Sequence, residues 1–343
     1  MTTGVFSGAP VTAVLRRAQD AVVPATRALI ARLDETSAAI ASYHLGWTDV
    51  GGAPVSGGGG KAVRPALAML SARAAGAPAR VGIPGAVAVE LVHNFSLVHD
   101  DLMDGDPERR HRPTVWAVWG TTSAILTGDA LLALAQEALL EGASPHRAAA
   151  ARLLAEATRH LIRGQVQDVA FEHRDDVTVA ECLHMVSGKT GALLSASAAI
   201  GAVLAGAAPE VVDALAAFGA HLGIAFQLVD DLLGIWGDPE NTGKPVFSDL
   251  RSRKKTLPVT YTLTHGGPAG RELASWFASS HPGAADPSRA AELIEAAGGR
   301  RWAVAQAQRR IAAATDALTT APIQAGPRAE LLAIARFIVA REA

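Results

Sequence analysis

Leu91 to Thr114 reads LVHNFSLVHDDLMDGDPERRHRPT, an apolar run that ends in the carboxylates of Asp100, Asp101 and Asp104. With Pro84 opening a helix and Gly105 closing it, the four-residue spacing sets Asp100 and Asp104 on one face of the last turn. Such a helix end is costly. Like charges repel at that spacing, and the macrodipole already places its negative pole there. A multivalent cation over the cluster removes the conflict. Hard oxygen donors with no cysteine nearby select Mg²⁺, which keeps part of its water and bridges to phosphate oxygens.

Arg109, Arg110 and Arg112 come next, and arginine suits two-pronged recognition of phosphate. Carboxylates, a divalent ion and arginines together describe a diphosphate site; an acidic helix end beside a solvated basic loop accounts for this one stretch equally well. A second acidic pair separates the two readings. Val211 to Trp236 is another apolar helical stretch, and it closes with Phe226, Gln227, Asp230 and Asp231. Facing each other across a helical bundle, the two pairs would form one cage for metal ions and a diphosphate. That arrangement suits ionisation of an allylic diphosphate, with an apolar helical cavity to shield the carbocation.

The 343-residue chain is 49% hydrophobic and 5% aromatic, with a formal net charge of -2. Packed helices are favoured over sheets, and no strand pattern or short repeat is legible, so the expected fold is all-α. The near-neutral charge supplies no field to recruit nucleic acid or an anionic membrane. Cys182 is the one cysteine, which excludes an internal disulfide and fits a reducing, cytoplasmic setting. Thr190 to Pro209 lacks charge over about one membrane thickness. Its Ala, Gly and Ser content reads as a helix buried within a helical protein, so the chain is not expected to span a membrane. Residues 1–10 read as a disordered tail ahead of a single domain at 11–343.

Several further motifs bear on an anion. The Gly-rich stretch Gly51 to Gly60 delivers Lys61 and Arg64 of GGKAVRP to a helix N-terminus. Within GQVQD, Gln165 and Asp168 lie three apart on one side of a helix. Lys189, between Gly188 and Gly191 in the apolar stretch Ala180 to Leu204, either snorkels to the surface or answers an anion inside the fold. GDPENTGKPVFSDLRSRKKTLP is too irregular for helix, carries Lys244, Lys254 and Lys255, and reads as a loop able to close over a site.

As an ordered set, GGKAVRP, HNFSLVHDDLMD, RRHRPT, GDALL, GQVQD, GKT, FQLVDD and TGKPVFSDLRSRKKTLP resemble the trans-isoprenyl diphosphate synthases of the polyprenyl synthetase family. The resemblance implies the isoprenoid synthase fold, a helical bundle around a central catalytic cavity, and a homodimer. It implies that Asp100, Asp104 and Asp230 ligate Mg²⁺, about three ions per active site, with Asp101 and Asp231 in support. Arg109, Lys189, Gln227, Lys244 and Lys254 would hold an allylic diphosphate. Lys61, Arg64, His93 and Arg110 would bind isopentenyl diphosphate, and Thr190 and Phe226 would line the reacting centre. The implied reaction is head-to-tail, all-trans condensation with release of pyrophosphate.

Product length is read behind the first acidic motif. Phe95, about 7.5 Å of helical rise deeper than Asp100, resembles a pocket floor. With Ser96 non-aromatic, the combination looks like a geranylgeranyl diphosphate synthase; a farnesyl or C25 product is the alternative. Two positions depart from the family pattern. Gly234 stands where many members have a third Asp, with Asp238 one turn on as the nearest substitute, and Phe247 stands where a small residue is common. A terpene cyclase would need a second motif of Asn, Ser or Thr and Glu that is missing, and an HD-type phosphohydrolase more His ligands than His93, His99 and His111. A non-catalytic homologue is left open by Gly234.

Overall fold

Prolines, glycines and short polar side chains set most helix limits in the computed structural model, which describes residues 10–55, 60–239, 245–278 and 286–340. In chain order the elements are α1 (Val11–Ile30), α2 (Glu35–His44), α3 (Val63–Ala74), α4 (Ile83–Met103), β1 (Glu108–Arg109), β2 (Arg112–Pro113), α5 (Val115–Leu140), α6 (Arg147–Glu172), α7 (Val179–Val186), α8 (Ala192–Leu204), α9 (Pro209–Trp236), α10 (Ser248–Arg251), α11 (Leu257–His265), α12 (Gly267–Ala278), α13 (Pro287–Ala296), α14 (Gly299–Thr319) and α15 (Ala325–Val339).

The all-α expectation holds. Asp34 caps α2 by accepting the Ser37 N–H at 3.0 Å, and Thr178 and Glu181 form a reciprocal capping box on α7. Helix α4 carries Pro84 in its first turn and ends at Asp104, with Gly105 following at φ 67°. Both limits read from the sequence are therefore met. Pro24 lies inside α1. One strand pair was not legible: β1 and β2 form an antiparallel hairpin, and two residues per strand are too few to show an alternating pattern.

The chain divides into two compact units, one of Met1–Glu156, Ala196–Ala216 and Thr320–Ile334, the other of Ala157–Ser195, Ala217–Thr319 and Ala335–Ala343. In the first, α4 is a buried helix with Leu91 and Val92 fully excluded from water. Glycine is required at Gly201, where a Cβ would lie 1.9 Å from the Ala68 carbonyl oxygen, so that α8 and α3 touch through backbone. In the second, Leu228, Leu232 and Leu257 cluster with Cys182, Val186 and Ala307. Ile235 and Leu250 belong to another cluster with Val259, Leu273 and Ile294. Cys182 is buried and burial raises its thiol pKa, as a small core residue requires.

Among the described residues, three helices are long and apolar enough to cross a membrane by length and composition: Ala79–Met103, Val115–Leu140 and Pro209–Trp236. Their most apolar windows are 67%, 44% and 50% buried within the protein, so packing against other helices accounts for much of their apolar content.

Candidate active site

The first unit separates the three aspartates of the first motif. Asp100 and Asp104 are half-buried, one turn apart, with the Asp104 N–H donating to the Asp100 carbonyl at 2.8 Å. Asp101 is buried, and its Oδ1 accepts from Arg109 Nε at 2.7 Å and Nη2 at 2.6 Å. Burial raises the pKa of Asp101 against the pull of Arg109. Asp101 thus holds Arg109 in place, while Asp100 and Asp104 keep part of their surface in water. Arg109→Ala, which strands the buried carboxylate, is expected to cost about 2–3 kcal/mol in urea denaturation. That is below the figure for a fully buried pair, because 33% of the Arg109 side chain remains in water.

The basic run is the hairpin itself. Arg110 and His111 form its turn, with φ of 53° and 60°, the left-handed conformation that matches strand twist at both central positions. Arg112 departs from a phosphate role. It donates to the Tyr43 carbonyl at 3.2 Å and the Thr48 carbonyl at 2.6 Å, and its guanidinium lies 4.1 Å over the Tyr43 ring. Arg64, His93 and Arg110, read together from the sequence, do come together. Burial holds His93 well below its ordinary range and therefore neutral, with Arg64 and Arg110 acting in the same direction. Burial likewise lowers Arg64 to about 10, with Glu90 opposing.

Glu90 was missed. Burial raises its pKa against Arg64, Asn94 and Arg110, so it is the counter-charge of the cluster. The available signal was its place one turn before His93 on the same helix face. Lys61 is exposed. A cavity of about 490 Å³ adjoins the cluster, lined by Gly60, Glu90, Asn94 and Arg110 together with Arg27 and Trp47.

Behind the acidic turn, Phe95 is buried and stands edge-on to His99, ring centroids 5.0 Å apart. His99 in turn contacts the Ile125 carbonyl at 3.1 Å. Gly128 of GDALL makes room for it, since a Cβ there would sit 2.2 Å from His99 Nε2. The Ser96 hydroxyl donates to the His93 carbonyl at 2.8 Å, so it is spent on its own helix.

The second unit carries the second acidic motif. Asp230 is exposed at the end of α9, and Asp231 beside it is buried. Burial raises Asp231 to about 8, against the hydrogen bonds it accepts from Gln227 and the Leu257 N–H. Lys189 lies in a π-helical turn, Ser187–Gly191, and pairs with Asp168 at 2.6 Å; such wide turns recur at functional sites. Gly164 of GQVQD is needed because a Cβ would lie 2.2 Å from the Lys189 backbone nitrogen. That motif therefore brings α6 against the turn and supplies the partner of its lysine. Gln165 is buried, and Thr190, Phe226 and Lys254 are half-buried. Gln227 has its amide engaged by Thr190 at 2.9 Å and Asp231 at 2.8 Å. Lys255 is structural: its ammonium donates to the Phe171 carbonyl at 3.1 Å and to the Arg174 carbonyl, at the C-terminal end of α6. Lys244 lies outside the described residues.

Asp100, Asp104 and Asp230 offer hard oxygens and no sulfur or imidazole, a donor set that fits Mg²⁺ and not Zn²⁺. Among the described residues, no three His, Cys, Asp or Glu side chains gather closely enough to hold a metal ion unaided.

Residues 54–295 match the family model for Polyprenyl synthetase. The chain belongs to the polyprenyl synthetase family. It is 58% identical over 334 residues to a (2E,6E)-farnesyl diphosphate synthase of Mycobacterium tuberculosis, covering 96% of this chain and 93% of that protein. It is 44% identical over 333 residues to a geranylgeranyl diphosphate synthase of the same organism, covering 96% and 94%. The crystal structure of a polyprenyl synthetase from Streptomyces coelicolor A3(2) superposes with a TM-score of 0.92 at 51% identity, covering 96% of this chain and 99% of that one. The fold is the isoprenoid synthase fold, and the chain is a prenyltransferase, a trans-prenyl diphosphate synthase.

Both departures from the family pattern have a local cause in this synthase. At Gly234 a Cβ would meet Asp249 Oδ2 at 2.1 Å and Cγ at 2.4 Å, so the carboxylate beside Gly234 comes from α10. Asp238, the substitute suggested by spacing, is exposed beyond the end of α9. Phe247 has φ of 63°, which explains why small residues suit the position. Its ring packs on the cluster of Ile235 and Leu250, and that burial offsets about 1–2 kcal/mol of left-handed strain.

Proposed function

We propose that this enzyme joins isopentenyl diphosphate to an allylic diphosphate and releases an all-trans product of geranylgeranyl length. The observation that carries the product reading is Phe95, buried on α4 behind Asp100 with its ring braced by His99. A braced ring stops a growing chain, and the small Ser96 beside it leaves room for one longer than farnesyl. A farnesyl product is the second reading, favoured by the 58% identity to the mycobacterial farnesyl diphosphate synthase.

Asp100, Asp104 and Asp230 are the residues that would hold Mg²⁺. When bound, such ions neutralise the charge that builds on a departing diphosphate. Arg109, Lys189, Lys244 and Lys254 bring positive charge to the allylic diphosphate, Arg109 oriented by Asp101 and Lys189 by Asp168. Lys61, Arg64 and Arg110 bind the isopentenyl diphosphate, and neutral His93 adds a hydrogen bond without adding charge. Gln227 joins Arg109 and Lys189 at the allylic diphosphate, and Thr190 and the face of Phe226 line the reacting centre as the allylic carbon becomes cationic. The isopentenyl double bond forms the new carbon–carbon bond, and the proton lost in restoring an alkene passes to the departing diphosphate. Ile125 and Leu126, exposed on α5, support a homodimer because a second copy would cover them.

The test is incubation of the purified chain with Mg²⁺, isopentenyl diphosphate and labelled geranyl or farnesyl diphosphate, followed by chromatography. A geranylgeranyl product is expected, and accumulation of farnesyl diphosphate selects the second reading. Phe95→Ala is expected to lengthen the product by at least about one isoprene unit, since it removes most of the ring volume. An unchanged product distribution would mean that Phe95 is not the floor.

A further inference from the structure

Gly128 is a glycine that its own backbone does not require. It lies inside α5, away from the kink at Gly120, and its φ is not positive. Glycine weakens a helix interior relative to alanine, so what the position supplies is room. A Cβ there would stand 2.2 Å from Nε2 and 2.4 Å from Cδ2 of His99, so the imidazole fills the space that a side chain would take. Ala124 and Leu131, four residues before and three after, are fully buried on the same face of α5. The seat of the imidazole is therefore part of the core.

His99 is held at a second point. Its Nε2 lies 3.1 Å from the carbonyl oxygen of Ile125, three residues before Gly128. A carbonyl oxygen only accepts, so Nε2 carries a hydrogen and donates it, as it does in a neutral or a charged ring. One turn back on α4 stands Phe95, 6% exposed, with its ring centroid 5.0 Å from that of His99 and the planes at 72°. That is the edge-on geometry of an attractive ring pair. Gly128, His99 and Phe95 thus form a line of direct contacts within the first unit.

We propose that Gly128 and His99 are positioning residues that set product length: the glycine seats the imidazole, and the imidazole keeps the Phe95 ring from turning aside. This rests on the reading of Phe95 as the floor of the product pocket. A phenyl ring moves only into space that is open, and interiors as dense as this leave little. With His99 seated, the space beside Phe95 on that side is taken, and the ring holds its place when a growing chain presses on it. Without the seat, the same ring swings aside. Product length then depends on α5 as well as on the side chains of α4.

Two substitutions reach the contact from opposite ends. His99→Gln keeps an amide within reach of the Ile125 carbonyl but removes the ring beside Phe95. Gly128→Ala keeps both rings but puts a methyl group where the imidazole sits; the atoms it meets belong to a side chain, so the helices need not part. Each is expected to raise the share of the next longer product about 10-fold, the lower end of what one methylene of fit is worth in an apolar pocket. Chromatography after incubation with Mg²⁺, isopentenyl diphosphate and labelled farnesyl diphosphate reads that share. The ratio of products is the readout, because a change beside Asp100 can slow turnover without touching length. A purely structural role would lower the melting temperature and leave the ratio alone. In the Phe95→Ala background neither substitution should lengthen the product further, because the ring it acts through is gone. Unchanged or shorter products from a folded His99→Gln or Gly128→Ala would overturn the proposal, as would further lengthening in the Phe95→Ala background. Should one variant fail to fold, the other decides. If Phe95→Ala itself leaves the products unchanged, the floor reading fails; if it lengthens them while the other two do not, the floor stands and only the seat is refuted.

Discussion

Gly234→Asp, which restores the third acidic residue common in the family, is expected to lower kcat by about 100-fold or more. The space is taken. Even a Cβ at Gly234 would lie 2.4 Å from Asp249 Cγ, and Cγ is one bond from its own Cβ, so rotation cannot carry it far. The segment behind it cannot retreat either. The Ser248 hydroxyl donates to the Gly234 carbonyl at 3.2 Å, the Lys254 N–H to the Asp249 carbonyl at 2.9 Å, and Leu250 is fully buried. The new side chain must push α9 and α10 apart close to Asp230 and Asp231, and displacements of about 1 Å near reacting groups cost rates of this order. It also sets two carboxylates against each other. Gly234→Ala should therefore lose activity too, by sterics alone. Gly234→Asp combined with Asp249→Gly should recover part of the loss, because the carboxylate then has room. Initial rates of the four proteins check the prediction, and wild-type activity in Gly234→Asp would refute the steric account.

The helix ends were legible because their signals are local. Pro84 and Gly105 bound α4 through their own backbone preferences, and Asp34 and Thr178 cap by reaching three residues ahead. The grouping of Arg64, His93 and Arg110 was legible for another reason, since their motifs follow the order of a known family. What escaped depends on partners far apart in the chain. Nothing near Asp101 announces that it is buried on Arg109 while Asp100 and Asp104 are only half-buried. Nothing near Lys255 announces that it serves the end of α6. In GQVQD the side-chain pair is legible, yet the glycine matters as much, because a backbone approach at Lys189 leaves no mark on local periodicity. Spacing along α9 can suggest only a carboxylate on that same helix for Gly234, whereas the one beside it comes from α10.

In the proposed reaction, Asp100 and Asp230 are the carboxylates on which the chemistry depends. Each is open to solvent in part or in full late in an apolar helix, where the helix dipole disfavours negative charge. Replacement by Asn keeps the shape and one acceptor oxygen, removes the charge a divalent ion requires, and relieves that repulsion, so the fold should be no less stable. Asp101→Asn makes the contrast: it weakens a buried ion pair with Arg109 and should act first on stability. The decisive measurement is the initial rate of chain elongation at saturating Mg²⁺ for Asp100→Asn and Asp230→Asn beside the unsubstituted enzyme. Both are predicted to fall by about 1,000-fold with unchanged melting temperature; more than about a tenth of the original rate in either would contradict the claim that both acidic pairs drive loss of the diphosphate.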